Sequence, residues 1–181
     1  MGMSIQTPVA RDGYVYSAAG RVGGGAVRPN SVHGNVTAEE VYFDPKLPTA
    51  IGGAVLVGDY LHGSSQSAMC VEYKTGLIKW NERSIAPASL CYAEGLLYQH
   101  GEAGDVALIQ ATPDAYRERG HFTRANQPTH NNAMEKAWPY PVVANGRLYI
   151  RDLGTLWCYD IKTAEDAKSP AESGTVPLRK N

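Results

Sequence analysis

Apolar and polar residues alternate with a period of two along most of this chain, and the alternation recurs in blocks. A short apolar strand, a glycine-bearing turn and a tyrosine-rich strand appear at 7–19, 52–64, 88–101 and 140–152. Aligned on the second strand of each block, Tyr16, His62, Tyr98 and Tyr149 fall in one column, at intervals of 46, 36 and 51 residues. A period of two predicts strand, and self-similarity at about 40–50 residues predicts a repeat architecture in which each unit is one blade.

A second pair of strands follows within each block. Cys70-Val-Glu-Tyr-Lys-Thr75 returns as Cys158-Tyr-Asp-Ile-Lys-Thr163, 88 residues or two repeats later. After the first copy, Gly76 supplies a turn and Leu77 to Trp80 resumes the alternation. In the third block, Tyr116, Glu118, Gly120 and Phe122 are expected on one side of an outer strand, with Arg117, Arg119 and His121 on the other. Pro113-Asp114 could also open a helix, but turn followed by strand is the reading adopted. The units are therefore 5–43, 53–82, 88–122 and 140–160, each of four antiparallel strands except the last, which lacks an outer strand. Residues 164–181 are polar, carry two prolines and read as a disordered tail. The whole is expected to be an all-β propeller segment of about four blades forming an open arc over 1–163.

Composition agrees with strands and turns, since 19 glycines and 11 prolines punctuate the 181 residues and 11 tyrosines accompany only two phenylalanines. A net charge of −1 gives no electrostatic reason to expect nucleic acid as a partner. No window approaches the ~20 apolar residues of a spanning helix, so no membrane span is expected and the chain reads as soluble. The first residues carry no secretory signal. Three cysteines, Cys70, Cys91 and Cys158, lie outside any C-x-x-C spacing and read as buried free thiols.

Glu72, the Thr75-Gly76 turn and Trp80, with Asp160 and Thr163 repeating the first half, resemble the quinoprotein-type (PQQ-like) propeller repeat. In that family an acidic residue and a Thr-Gly turn precede a tryptophan that packs between blades. Phe43 and Phe122 stand near the tryptophan column in units one and three. The resemblance implies a propeller and an extracytoplasmic parent protein. It does not choose between dehydrogenases that use pyrroloquinoline quinone and non-catalytic scaffolds such as the outer-membrane-protein assembly lipoprotein, because fold alone does not assign function.

The calcium-dependent dehydrogenases of the family would bring a vicinal cysteine pair, which this chain lacks, and no D-x-D-x-D spacing supplies calcium ligands. There is no G-x-S-x-G elbow beside Ser64-Ser65. Glu94, Glu102 and Asp105 read as turn residues. None of the five histidines makes an H-x-H or H-x-x-x-H pair, so neither a metal nor a catalytic residue is assigned. Gly20 to Gly25 mimics a phosphate loop but reads as a flexible turn. Asn35-Val-Thr37 fits a glycosylation acceptor, a pattern that is common by chance.

In a blade of this topology the short turns share one end, and the variable loops share the other. The candidate binding face is therefore His62 and His100, both at the ends of second strands and able to face each other near the axis, with His130, Asn131, Lys136 and Trp138 from the long connection at 123–139. A binding or scaffold module is the favoured reading. Its partners would be the remaining blades of a parent propeller, another protein or a second copy of itself. The alternative is a fragment of a pyrroloquinoline-quinone-dependent alcohol dehydrogenase-like oxidoreductase.

Overall fold

The computed structural model describes residues 6–50, 52–132 and 135–162, so Thr163 and the tail at 164–181 lie outside the described residues. Four antiparallel sheets follow one another along the chain. Blade 1 holds β1 (Val9–Arg11), β2 (Tyr14–Ala19), β3 (Gly23–Val32) and β4 (Asn35–Asp44). Blade 2 holds β5 (Ala54–Val57), β6 (Tyr60–Ser64), β7 (Ala68–Glu72) and β8 (Ile78–Glu82). Blade 3 holds β9 (Ala88–Ala93), β10 (Leu96–Gly101), β11 (Asp105–Gln110) and β12 (Glu118–Thr123). Blade 4 holds β13 (Val142–Ala144), β14 (Arg147–Asp152) and β15 (Thr155–Asp160). No helix occurs among the described residues, and 113–117 is irregular chain leading into β12. Among the described residues the first strand begins at Val9, and Ile5 lies outside them. Of the three thiols expected to be buried, Cys70 is; Cys91 is half-buried and Cys158, on the outermost described strand of blade 4, is exposed.

Turn chemistry explains the hairpins. Asp12-Gly13, Glu94-Gly95 and Asn145-Gly146 each have two consecutive positive φ values, the conformation that tight hairpins need to match strand twist. His33-Gly34 closes β3 and β4 in the same way, with φ of 49° and 81°. The turn is as short as its counterparts, but the strands it joins are ten residues each and residues 28–40 are all exposed, so their far halves project as an arm. Gly23 to Gly25 also lie within β3 rather than in a flexible turn. A Cβ on Gly24 would collide with the Tyr16 hydroxyl, so packing demands glycine there.

The second-strand column is borne out by register. Tyr16 pairs Val9 and Ala26, His62 pairs Val55 and Cys70, Tyr98 pairs Cys91 and Leu108, and Tyr149 pairs Val142 and Cys158. Each four-stranded blade also breaks its outer ladder at the same point, between Ala26/Val27, Cys70/Val71 and Leu108/Ile109. Such bulges insert one unpaired residue and redirect the side chains beyond it. The bulge in blade 3 breaks the expected alternation across 116–122, and all of β12 is exposed.

The bulge also revises the tryptophan column. Trp80 pairs Cys70, and the equivalent partners are Tyr42 opposite Ala26 and Gly120 opposite Leu108. Phe43 instead pairs Gly25 and points to the other face of blade 1. Phe122, one pleat along from Gly120, meets Tyr159 of blade 4 with ring centroids 4.9 Å apart.

Alternate residues face opposite neighbours. Tyr16 and Ala18 of blade 1 pack with Leu61, Met69, Val71 and Tyr73 of blade 2. Leu90, Leu97 and Ile109 of blade 3 pack on Val55 and Val57. Tyr98 and Val106 pack with Leu148 and Ile150 of blade 4. The innermost strands touch in the order β1, β5, β9, β13. Among the described residues the arc is unclosed, which leaves one blade face open at each end. Leu61, Leu97 and Leu148 are at most 2% exposed, whereas Val15 at the same register in blade 1 is only half-buried. At the other end Leu156 is 64% exposed, where Ala68 and Val106 are buried.

Candidate functional site

The second turns of the blades and the connections between blades gather at one end of the arc. Here the described parts of the connection from β12 to β13, 124–132 and 135–141, lie across blades 3 and 4. Arg124, just past β12, is fully buried and donates from Nη2 to Asp152 Oδ2 (2.9 Å) and from Nε to the Gly104 carbonyl (2.9 Å). Its guanidinium stacks over the Trp157 ring at 4.3 Å, and the Trp157 indole donates to the Ala125 carbonyl. Asp152 ends β14 with its side chain entirely buried, and both its oxygens lie 3.1 Å from His130 Nε2.

Burial pushes the Asp152 carboxyl upward, but the Arg124 hydrogen bond, with His130 beside it, outweighs burial and holds it below the usual carboxylate range. A carboxylate held ionised this way is a poor proton acceptor. The trio is a clamp that ties the connection to the blade-4 sheet.

The predicted face residues are distributed around this clamp. Lys136 Nζ reaches Glu102 Oε2 at 2.6 Å. The Asn131 backbone N–H and side-chain amide both donate to Glu135. The Trp138 carbonyl accepts from the Ser89 hydroxyl, while its indole N–H is buried with no partner among the described residues. His100 Nδ1 lies 3.2 Å from the Pro139 carbonyl. Desolvation lowers the His100 pKa; the Pro139 bond and Asp152 oppose that, while Arg124 adds to it.

His62 belongs elsewhere. It sits one pleat away from the His100 position, since His62 is equivalent to Tyr98 and His100 to Ser64. The structure does not bring the two histidines face to face: His62 stacks obliquely on Trp80 at 5.8 Å with Nε2 4.0 Å from Cys70 Sγ. Burial lowers the His62 pKa to about 4 and pushes Cys70 up to about 12.

Trp80 itself is 9% exposed, donates to the Thr112 carbonyl of blade 3 at 2.8 Å, and meets Tyr116 edge-on. The Thr75 hydroxyl donates to Glu72, and its Oγ1 accepts from the Leu77 N–H, so these repeat residues form the turn. Asp160 accepts from the Lys162 N–H.

Beside the clamp, Ser84, Gly101, Glu102, His130, Glu135 and Lys136 line an open groove of about 600 Å³. Among the described residues, no group of three or more His, Cys, Asp or Glu side chains is placed to hold a metal ion. Sequence reading missed Arg124 and Asp152 because no motif links positions 28 residues apart. It took Glu102 for a plain turn residue.

Among the described residues, three four-stranded blades and a three-stranded fourth, stacked face to face in an unclosed arc, define this fold as a partial β-propeller. Among solved structures the chain is similar to BamB from Moraxella catarrhalis, with a TM-score of 0.59 and 14% sequence identity over 84% of this chain. The match spans 41% of that chain, and at this identity the likeness is one of fold. No protein-family model matches the chain, and neither does any curated protein sequence.

Proposed function

We propose that this chain is a non-catalytic binding and scaffold module, a segment of a larger propeller with quinoprotein-type repeats, whose exposed surfaces seat other protein. The observation that carries the reading is the state of its end faces. Positions that are sealed at every internal junction are open in blade 1 and blade 4, as Val15 and Leu156 show beside Leu61 and Val106. Exposed apolar side chains gathered on one sheet face mark an interaction site. The clamp supports the same reading, since it uses its ionisable groups on each other. Asn131, Asn132 and Lys136 on the exposed side of the long connection offer a second, polar contact surface.

The competing reading is an oxidoreductase that binds pyrroloquinoline quinone with calcium. The two are separated by titrating that cofactor with Ca²⁺ while following the thermal midpoint and dye-linked alcohol oxidation. The expected result is no saturable shift and no turnover; a saturable shift accompanied by oxidation overturns the scaffold reading.

A further inference from the structure

Each internal junction of the arc is built the same way. The face bearing Tyr16, His62 or Tyr98 receives, from the next blade, the face bearing Leu61, Leu97 or Leu148. Blade 4 presents the receiving kind of face to solvent: Tyr149 occupies the column of Tyr16, His62 and Tyr98, with Val142 52% and Leu156 64% exposed beside it. Blade 1 presents the inserted kind, at the register of Leu61, Leu97 and Leu148. There Val15, Val27 and the half-exposed Phe43 line an apolar groove of about 310 Å³. The two open faces are thus the two halves of one junction, separated onto opposite ends of the molecule.

We infer that the occupant of each open face is a second copy of this chain, blade 4 of one copy seating blade 1 of the other, so that two copies close a ring of eight blades. The inference rests on the scaffold reading and names its partner. Charge supports the pairing. Among the described residues, blade 4's open face carries Arg147 and Arg151, both exposed, against one acid, Asp160 opposite Arg147, and Glu40 stands exposed on the open face of blade 1 opposite Val27. Internal junctions already use such pairs, with Arg11 of blade 1 on Asp59 of blade 2 at 2.8 Å and Arg124 on Asp152 between blades 3 and 4. Size is consistent as well. The aligned part of this chain matches 41% of BamB, so two copies approach the length of that propeller. A head-to-tail contact forms a closed ring when its rotation closes and a filament when it does not.

The test is sedimentation equilibrium or light scattering on the full chain and on two variants, Phe43→Glu and Leu156→Glu, each at a position already exposed. The wild-type chain is expected at twice the 19.5 kDa of one copy and each variant at 19.5 kDa. Mixing the two variants should restore a 1:1 dimer, because each retains the face that the other has lost. Circular dichroism checks the fold of both, and Val22→Glu with Val142→Glu is a second pair at exposed positions should either first variant fail to fold. A monomeric wild-type chain overturns the inference in favour of another protein or further blades as occupant. So do dimers that survive both substitutions, open oligomers longer than two, or a mixture that stays monomeric. None of these outcomes bears on the cofactor titration, which judges the scaffold reading alone.

Discussion

At the scale of single residues, the fold is held at its junctions by buried polar groups whose protonation is fixed by their surroundings. His62 is 2% exposed, rests against Trp80 and Cys70, and has no hydrogen-bond partner for Nδ1 among the described residues. Its pKa is lowered by burial to about 4. The unfolded chain therefore takes up a proton below about pH 6.5 that the folded chain refuses until about pH 4. Stability falls as pH drops through that window, by up to about 1.4 kcal/mol per pH unit for one such group. His100, lowered in the same direction, adds to the slope. Asp152, held below its ordinary range, works at a lower pH, where its contribution fades as the carboxylate is protonated. Urea denaturation at pH 7 and pH 5 should show His62→Gln losing less stability between the two than the wild-type chain, and equal losses would refute the assignment. The sequence marks His62 as a strand residue in a repeat column. It does not show that the imidazole is sealed, because the sealing groups, Trp80 and the Tyr116 region, arrive from the outer strand and the next blade.

At the scale of elements, the legible features were those written in local chemistry. Asp12-Gly13, Glu94-Gly95 and Asn145-Gly146 announce hairpins because few residues other than glycine, asparagine and aspartate reach positive φ cheaply. Trp80 announces an outer strand that wedges between blades. What stayed hidden depends on partners far along the chain. The bulge shared by β4, β8 and β12 moves Tyr42 rather than Phe43 into the tryptophan position, and the arm made by β3 and β4 has no apolar alternation to reveal its length. Tyr42 and Trp80 then do the same job: the Tyr42 hydroxyl donates to the Tyr73 carbonyl of blade 2 at 2.7 Å, and the Trp80 indole donates to the Thr112 carbonyl of blade 3 at 2.8 Å. Each outer strand is thereby fastened to the neighbouring blade. Trp80→Ala removes both the wedge and the bond and should cost about 3–5 kcal/mol in chemical denaturation. A loss under about 1 kcal/mol would show that the indole fills no core position.

At the scale of the whole molecule, an unclosed stack of blades behaves as a nearly one-dimensional array, because the apolar clusters among the described residues join each blade to its neighbours along the chain. Its stability should be graded along the arc. The strands β6 and β10 are buried along almost their full length, since blades on both sides cover them. In β15 the residues alternate between half-buried and exposed, and the far part of the β3–β4 arm is exposed throughout. Hydrogen exchange follows local opening, so the slowest backbone amides are expected in β6 and β10, faster ones in β14 and β15, and the fastest strand amides between Asn30 and Thr37. Concentration adds a second axis to the measurement. If two copies close the ring, raising the concentration should slow exchange in β2, β3, β14 and β15, the strands behind the two open faces, and leave the β6 and β10 amides unchanged. Phe43→Glu should remove that dependence at both ends together, since in a two-copy ring each junction uses one face of each kind. Protection that is uniform over all four blades in dilute, monomeric protein would mean that the arc unfolds as a single unit, and the graded picture would have to be abandoned.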